Sequence, residues 1–156
     1  MDTLLDWLAQ MPQARAMRGS GHLYMLVNAL HILGIGLLLG AILPLDLRLI
    51  GLGRTDIRVL GPFLVRAAAL GLGIAVASGF ALWSIKPQEY LSNAAFRWKA
   101  AIIVLGLINV TLQHRSAGWR QTMRTGHPAP STRVLALVSA LIWCAALLAG
   151  RWIGFL

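Results

Sequence analysis

Acidic residues are scarce in this sequence, five against fourteen lysines and arginines, and the formal net charge is +9. Cysteine is nearly absent: Cys144 stands alone, which excludes an intrachain disulfide, a CxxC redox pair and a structural zinc site. No phosphate loop, nucleophile elbow or zinc-ligand signature occurs, so the sequence-readable forms of nucleotide, serine-hydrolase and metallopeptidase chemistry are missing. Methionine is placed too sparsely for copper(I), which favours thiolate and thioether donors, because Met25 is the only one in a long apolar run.

Apolar residues fill the space. They make up 58% of the chain, charged residues 12%, and the mean hydropathy is +0.71, outside the range of a soluble domain of this size. The run Leu23–Leu43 holds no formal charge over enough residues to cross a bilayer core of ~30 Å as a helix. The sequence predicts an all-α fold, a single membrane domain of four spans at about 22–44, 59–85, 94–114 and 134–153. A short amphipathic interfacial helix over residues 2–17 precedes them. In it Leu4, Leu5, Leu8 and Met11 recur at helical spacing, and Asp2, Asp6 and Gln10 take other faces. It is placed to cap one mouth of the bundle. The first 20 residues contain acids and a proline and no uninterrupted apolar core, unlike a cleavable signal peptide.

The basic residues sit at span ends, where they meet anionic headgroups, so the net charge points to the lipid bilayer and not to nucleic acid. Arg48, Arg54, Arg58, Arg115, Arg120, Arg124 and Arg133 fall on one side. Arg15, Arg18, Lys86, Arg97, Lys99 and Arg151 fall on the other. The dense basic loop after the third span orients both termini toward the periplasm or cell exterior.

His31 lies deep in the first run, and an ionisable side chain there must face the bundle interior and find a partner. Asn28 and Gly34 share its stripe. In the third span Lys99, Gly106, Asn109 and Gln113 fall on one helix face, with His114 fifteen residues and about 22 Å beyond Lys99. Gly34, Gly36 and Gly40 in the first span, with Gly71, Gly73, Ala75 and Gly79 in the second, form small-residue surfaces suited to close helix packing; Gly36 and Gly40 make a GxxxG pair. His22 reads as interfacial and His127 as solvated. Arg66 either snorkels to the interface or pairs with an anion such as a propionate or Asp46. No carboxylate is expected inside a span, and this weakens a proton relay through His31, Lys99, Asn109 and His114.

The segment HLYMLVNALHILGIGLLLGAILPLDLRLIG resembles the first span of the HemJ-type membrane protoporphyrinogen oxidases, and RWKAAIIVLGLINVTLQHR resembles their third. Related patterns occur in CopD-like copper-resistance membrane proteins and in four-helix bacterial inner-membrane proteins. The resemblance implies a multi-pass protein of a bacterial inner membrane that holds haem b or another porphyrin. His31 and His114 match the family's histidines and Lys99 its third-span lysine; Asn28 stands where those oxidases carry a lysine. Neutral imidazole is the commonest haem ligand in helical bundles. Lys99 and His114 are both open as second ligand, with Asn28, Asn109 and Arg66 as further cofactor contacts. The expected function is electron transfer with a quinone or periplasmic redox partner, in a monomer or homo-oligomer. A cofactor-free membrane helper, a metal or proton transport subunit and a HemJ-type oxidase are the alternatives.

Overall fold

A computed structural model describes residues 2–155, apart from the side chains of Asp2, Thr3 and Gly154, so the facing of Asp2 lies outside the described residues. Among the described residues all regular structure is helical: α1 (Asp2–Ala9), α2 (Pro12–Gly19), α3 (Gly21–Ile50), α4 (Ile57–Trp83), α5 (Pro87–Ser92), α6 (Ala94–Arg115), α7 (Ala117–Thr125) and α8 (Pro130–Trp152), then a 3-10 turn, Ile153–Phe155. Helices α3, α4, α6 and α8 are long and apolar enough to cross a membrane. The protein is a multi-pass, all-α membrane protein with four spanning helices.

Local chemistry sets the ends of these helices. Asp56, Asn93 and Ser116 accept hydrogen bonds from the N–H groups of Arg58 (2.9 Å), Phe96 (3.2 Å) and Trp119 (3.0 Å), capping α4, α6 and α7. Gly51, at φ +116°, ends α3 in the left-handed region open to glycine.

Two expectations are corrected here. The N-terminal segment is two short helices, because Pro12 has no N–H to donate and holds Met11 extended (φ −57°, ψ 146°). Leu5, Leu8, Ala14 and Met17 are nevertheless buried, as the apolar spacing requires. The pair sits at one mouth of the bundle. Gln88 donates to Asp6 (2.8 Å), and Arg18 donates to the carbonyls of Ala9 and Ile85. The second correction is larger. Helix α3 does not stop at Pro44 but continues to Ile50, and Asp46 rides inside it at 3% exposure. A carboxylate therefore lies within a spanning helix, since membrane helices tolerate an internal proline.

The helices form two antiparallel hairpins, α3–α4 and α6–α8, which meet where α3 packs on α8. Within the first hairpin the backbones nearly touch. A Cβ added at Gly34 would lie 2.7 Å from the Ala75 nitrogen, and one at Gly71 would be 2.9 Å from the Leu38 Cα. Only glycine fits this crossing. A Cβ added at Gly36 or Gly40 would meet nothing within 4 Å, so the GxxxG pair takes no part in packing among the described residues. Leu38, Ile42, Leu45, Leu49, Leu64 and Trp143 form the core between the hairpins.

Candidate functional site

The polar residues of the spans fall into two groups at different depths. The first is built on the α3–α4 crossing, where the close approach at Gly34 and Gly71 carries His31 against Ser78 and Gly79. Nδ1 of His31 lies 3.1 Å from the Ser78 hydroxyl. Ser78 donates its single hydrogen to the Ile74 carbonyl, 2.5 Å away, and toward His31 it can only accept. The hydrogen between them therefore belongs to Nδ1, and Nε2 carries the bare lone pair. A Cβ on Gly79 would stand 2.9 Å from Cε1 and 3.3 Å from Nδ1 of the ring, so glycine there makes the seat for the imidazole.

Lys99 belongs to the same end of the bundle, since Tyr24 of α3 and Ala94 of α6 line one cleft there. Its Cε and Nζ lie against α8, each 3.3 Å from where a Cβ of Gly150 would be. Among the described residues it has no acidic partner; the ion pairs are Arg58 with Asp56 and Lys86 with Glu89, neither of which involves Lys99. Above this pair a cleft of about 860 Å³ opens at the mouth, lined by Tyr24, Leu82, Tyr90, Asn93, Ala94 and Ile153 among others. His31 lies about 10 Å below Tyr24 along α3, and Lys99 about 7 Å below Ala94 along α6.

The second group lies at the opposite end. Asp46 is fifteen residues beyond His31 on the same helix, about 22 Å along the axis. It shares a small cavity of about 20 Å³ with Asn109, Gln113, His114, Trp119 and Ser139. Asn109 donates to the Leu135 carbonyl (3.1 Å) and Gln113 to that of Thr132 (3.3 Å), tying α6 to α8. The His114 ring bonds the Val110 carbonyl through Nδ1 at 2.8 Å and packs on the Trp119 indole at 4.7 Å between centroids.

The structure thus places His31 and Lys99 toward the same end of the bundle, on different helix contacts, and places His114 and Asn109 with Asp46. Asn28 is half-buried on the His31 helix and makes no side-chain hydrogen bond among the described residues. Arg66 is exposed on the outward stripe of α4 that carries Val59, Phe63 and Leu70, which suits a snorkelling side chain. His22 and His127 are exposed. Reading the sequence missed Ser78 and Ser139, and named Asp46 only as an anion for Arg66 and not as a residue inside a span. The signal was there: Asp46 continues the inward stripe Gly34, Leu38, Ile42, and Ser78 continues Ala68, Gly71, Ala75.

No family model matches the chain, and neither does any curated protein or solved structure. The likeness of the first and third spans to the HemJ type rests on the residues quoted for it alone.

The donor chemistry of the His31 group can be tested against a porphyrin. A haem ligand is a neutral imidazole whose second nitrogen is fixed by an outer hydrogen bond, and the Ser78 contact supplies that bond to His31. Lys99 offers a cation without a protein partner for a carboxylate. The residues fit a single-histidine site. A second histidine ligand from His114 does not fit, because its group is the distant one.

Proposed function

We propose that this protein holds a b-type haem in the bundle end around His31 and serves as a membrane electron carrier, exchanging electrons with a quinone or a periplasmic partner from a bacterial inner membrane. The observation that carries this reading is the 3.1 Å contact of His31 Nδ1 with a Ser78 hydroxyl whose own hydrogen goes to the Ile74 carbonyl; with Nδ1 as the donor, Nε2 is left as a ligating atom inside an apolar bundle. Bound there, the haem would supply one-electron chemistry.

The remaining tasks fall to the chain. Ser78 holds the imidazole in one tautomer and Gly79 leaves room for its ring. Lys99 neutralises an anionic group that enters from the mouth, and the apolar walls of α3, α4 and α8 keep water from the interior. Porphyrinogen oxidation would need a positioned base near the ring. The one carboxylate inside the spans, Asp46, is about 22 Å away from His31, which favours electron carriage over that reaction.

Absorbance spectra of the protein purified in mild detergent, oxidised and dithionite-reduced, test the reading. We expect a Soret band that His31→Ala largely abolishes. Protein that stays colourless when expressed with ample haem rejects it and leaves the His31–Ser78 bond as a helix-association contact. Lys99→Arg is expected to retain the spectrum, since guanidinium keeps the charge but is a poor metal ligand. Porphyrin formation from porphyrinogen that depends on His31 and Lys99 would replace electron carriage with oxidase activity.

A further inference from the structure

The cavity beside Asp46 has an imbalance that the electron-carrier reading does not use. Three of the residues lining it carry buried atoms without a hydrogen-bond partner: Asp46 Oδ2, Gln113 Oε1 and His114 Nε2. All three are acceptors. The carbonyl of Val110 can only accept, so the hydrogen of neutral His114 is on Nδ1 and Nε2 is a lone pair. The amide nitrogen of Gln113 is committed to the Thr132 carbonyl, which leaves its oxygen facing no donor. Ser139 also lines the cavity and makes no hydrogen bond to any of these three atoms. The buried indole N–H groups of Trp83 and Trp143 also lack partners, yet neither residue lines this cavity.

A buried acceptor left unpaired forfeits its hydration with nothing in return, so the cavity must receive hydrogen from elsewhere. Its volume of about 20 Å³ admits one water, which needs roughly 10–15 Å³. A water has two hydrogens for three acceptors. One proton makes up the difference. With the proton on Asp46, Oδ2–H donates to the water, and the water donates to His114 Nε2 and Gln113 Oε1. With the proton on His114, Nε2–H donates to the water, and the water donates to Asp46 Oδ2 and Gln113 Oε1. Every hydrogen and every one of the three orphaned atoms is paired in both arrangements, and the group is electrically neutral in both.

We propose that the Asp46 cavity is a proton-binding site: it holds one proton and one water, and the proton passes between Asp46 and His114 by a relay in which Asp46 Oδ2–H gives its proton to the water oxygen as the water gives one of its own to His114 Nε2, and the reverse. Among the described residues no other charged side chain lines the cavity. On α3, Arg48 turns its guanidinium to the Thr55 carbonyl. Arg58 of α4 is paired with Asp56, and Arg66 is exposed on the outer face. Arg115 of α6 is exposed, Arg120 of α7 bonds the Arg115 carbonyl, Arg124 is exposed, and Arg133 of α8 bonds the Pro128 carbonyl. His114 is the only titratable partner among the lining residues. The Trp119 indole covers it from the side of α7.

Infrared spectra of the full chain in lipid, labelled with carbon-13 at the aspartate carboxyls and recorded at neutral pH in H2O and D2O, test the site. Exposed carboxylates are ionised there. We expect the C=O band of a protonated aspartic acid, shifted in D2O and lost in Asp46→Asn, whose amide supplies N–H donors in place of the proton. Should Asp46→Asn fail to fold, Asp2→Asn, Asp6→Asn and Asp56→Asn combined leave Asp46 as the only aspartate, and the band must persist. Nitrogen NMR of labelled histidine reads the other partner: an imidazolium at His114 with ionised Asp46 supports the same one-proton site. Ionised Asp46 together with neutral His114 overturns it. Because neither readout involves haem, a colourless protein leaves this test intact.

Discussion

At the scale of single residues, the hydroxyl of Ser78 decides what His31 can do. Its hydrogen is held by the Ile74 carbonyl, so its lone pair fixes the imidazole tautomer. Ser78→Ala removes that acceptor without changing the volume much, and loss of such an outer contact typically costs ten- to a hundredfold in affinity. We expect haem titration of the Ser78→Ala apoprotein to show a dissociation constant raised by about that factor. His31 was legible in the sequence because a histidine interrupts an otherwise uncharged run. Ser78 was not, since serine is common in membrane helices and only the register with Gly71 and Ala75 turns it inward. Asp46 was hidden by Pro44, which reads as a helix end in water but is tolerated where neighbouring helices satisfy the backbone.

At the scale of elements, the α3–α4 crossing rests on two glycines. Gly71→Val would drive two methyl groups into the α3 backbone at Leu38. Overpacking of this kind costs about 1–3 kcal/mol, and we expect a lower midpoint in thermal unfolding and a weaker His31–Ser78 contact. The same change at Gly36 or Gly40 meets open space and is expected to leave the midpoint unmoved. The sequence could name the small residues but not choose among them, because spacing along one helix does not say which stripe faces the neighbour. The start of α4 responds to acid. Hydrogen bonds from the Arg58 side chain and its backbone N–H, in that order, hold Asp56 down to about 2, below its ordinary value. A depressed carboxyl stabilises the fold above its unfolded value of about 4 and loses that contribution as pH falls through about 2. Amide exchange at Val59 and Leu60, which bond the Asp56 carbonyl, should quicken across that window, and Asp56→Ala should show the faster exchange already at neutral pH.

At the scale of the whole molecule, the two polar groups lie at opposite ends of the bundle and therefore address opposite faces of the membrane. The loop Gly51–Asp56 and α7 mark one face, and α1, α2 and α5 mark the other. With the arginine-rich α7 on the cytoplasmic side, a cysteine at Gln121 should resist membrane-impermeant thiol reagents in intact cells and one at Ser92 should react, once Cys144 is replaced by alanine. The reverse pattern inverts the molecule and carries the His31 end inward with it. The number and length of the spans were readable from hydropathy, since a bilayer demands long apolar helices whatever they do. The pairing of helices was not, because lipid-facing and helix-facing surfaces are equally apolar.

The meeting of the two hairpins on α3 and α8 has a consequence for the birth of the protein. The chain emerges in order, and when α3 and α4 have entered the bilayer, α8, which brings Ser139, and α6, which brings Gln113 and His114, are still to come. Until they arrive, the carboxyl group of Asp46 has only hydrocarbon or a water defect beside it, an expensive position for such a group. The early hairpin is thus incomplete in a chemically marked way. Docking of the late hairpin erases the mark by enclosing Asp46 with Gln113, His114 and Ser139, so the last two spans to enter the bilayer are the ones that give this carboxyl its neighbours.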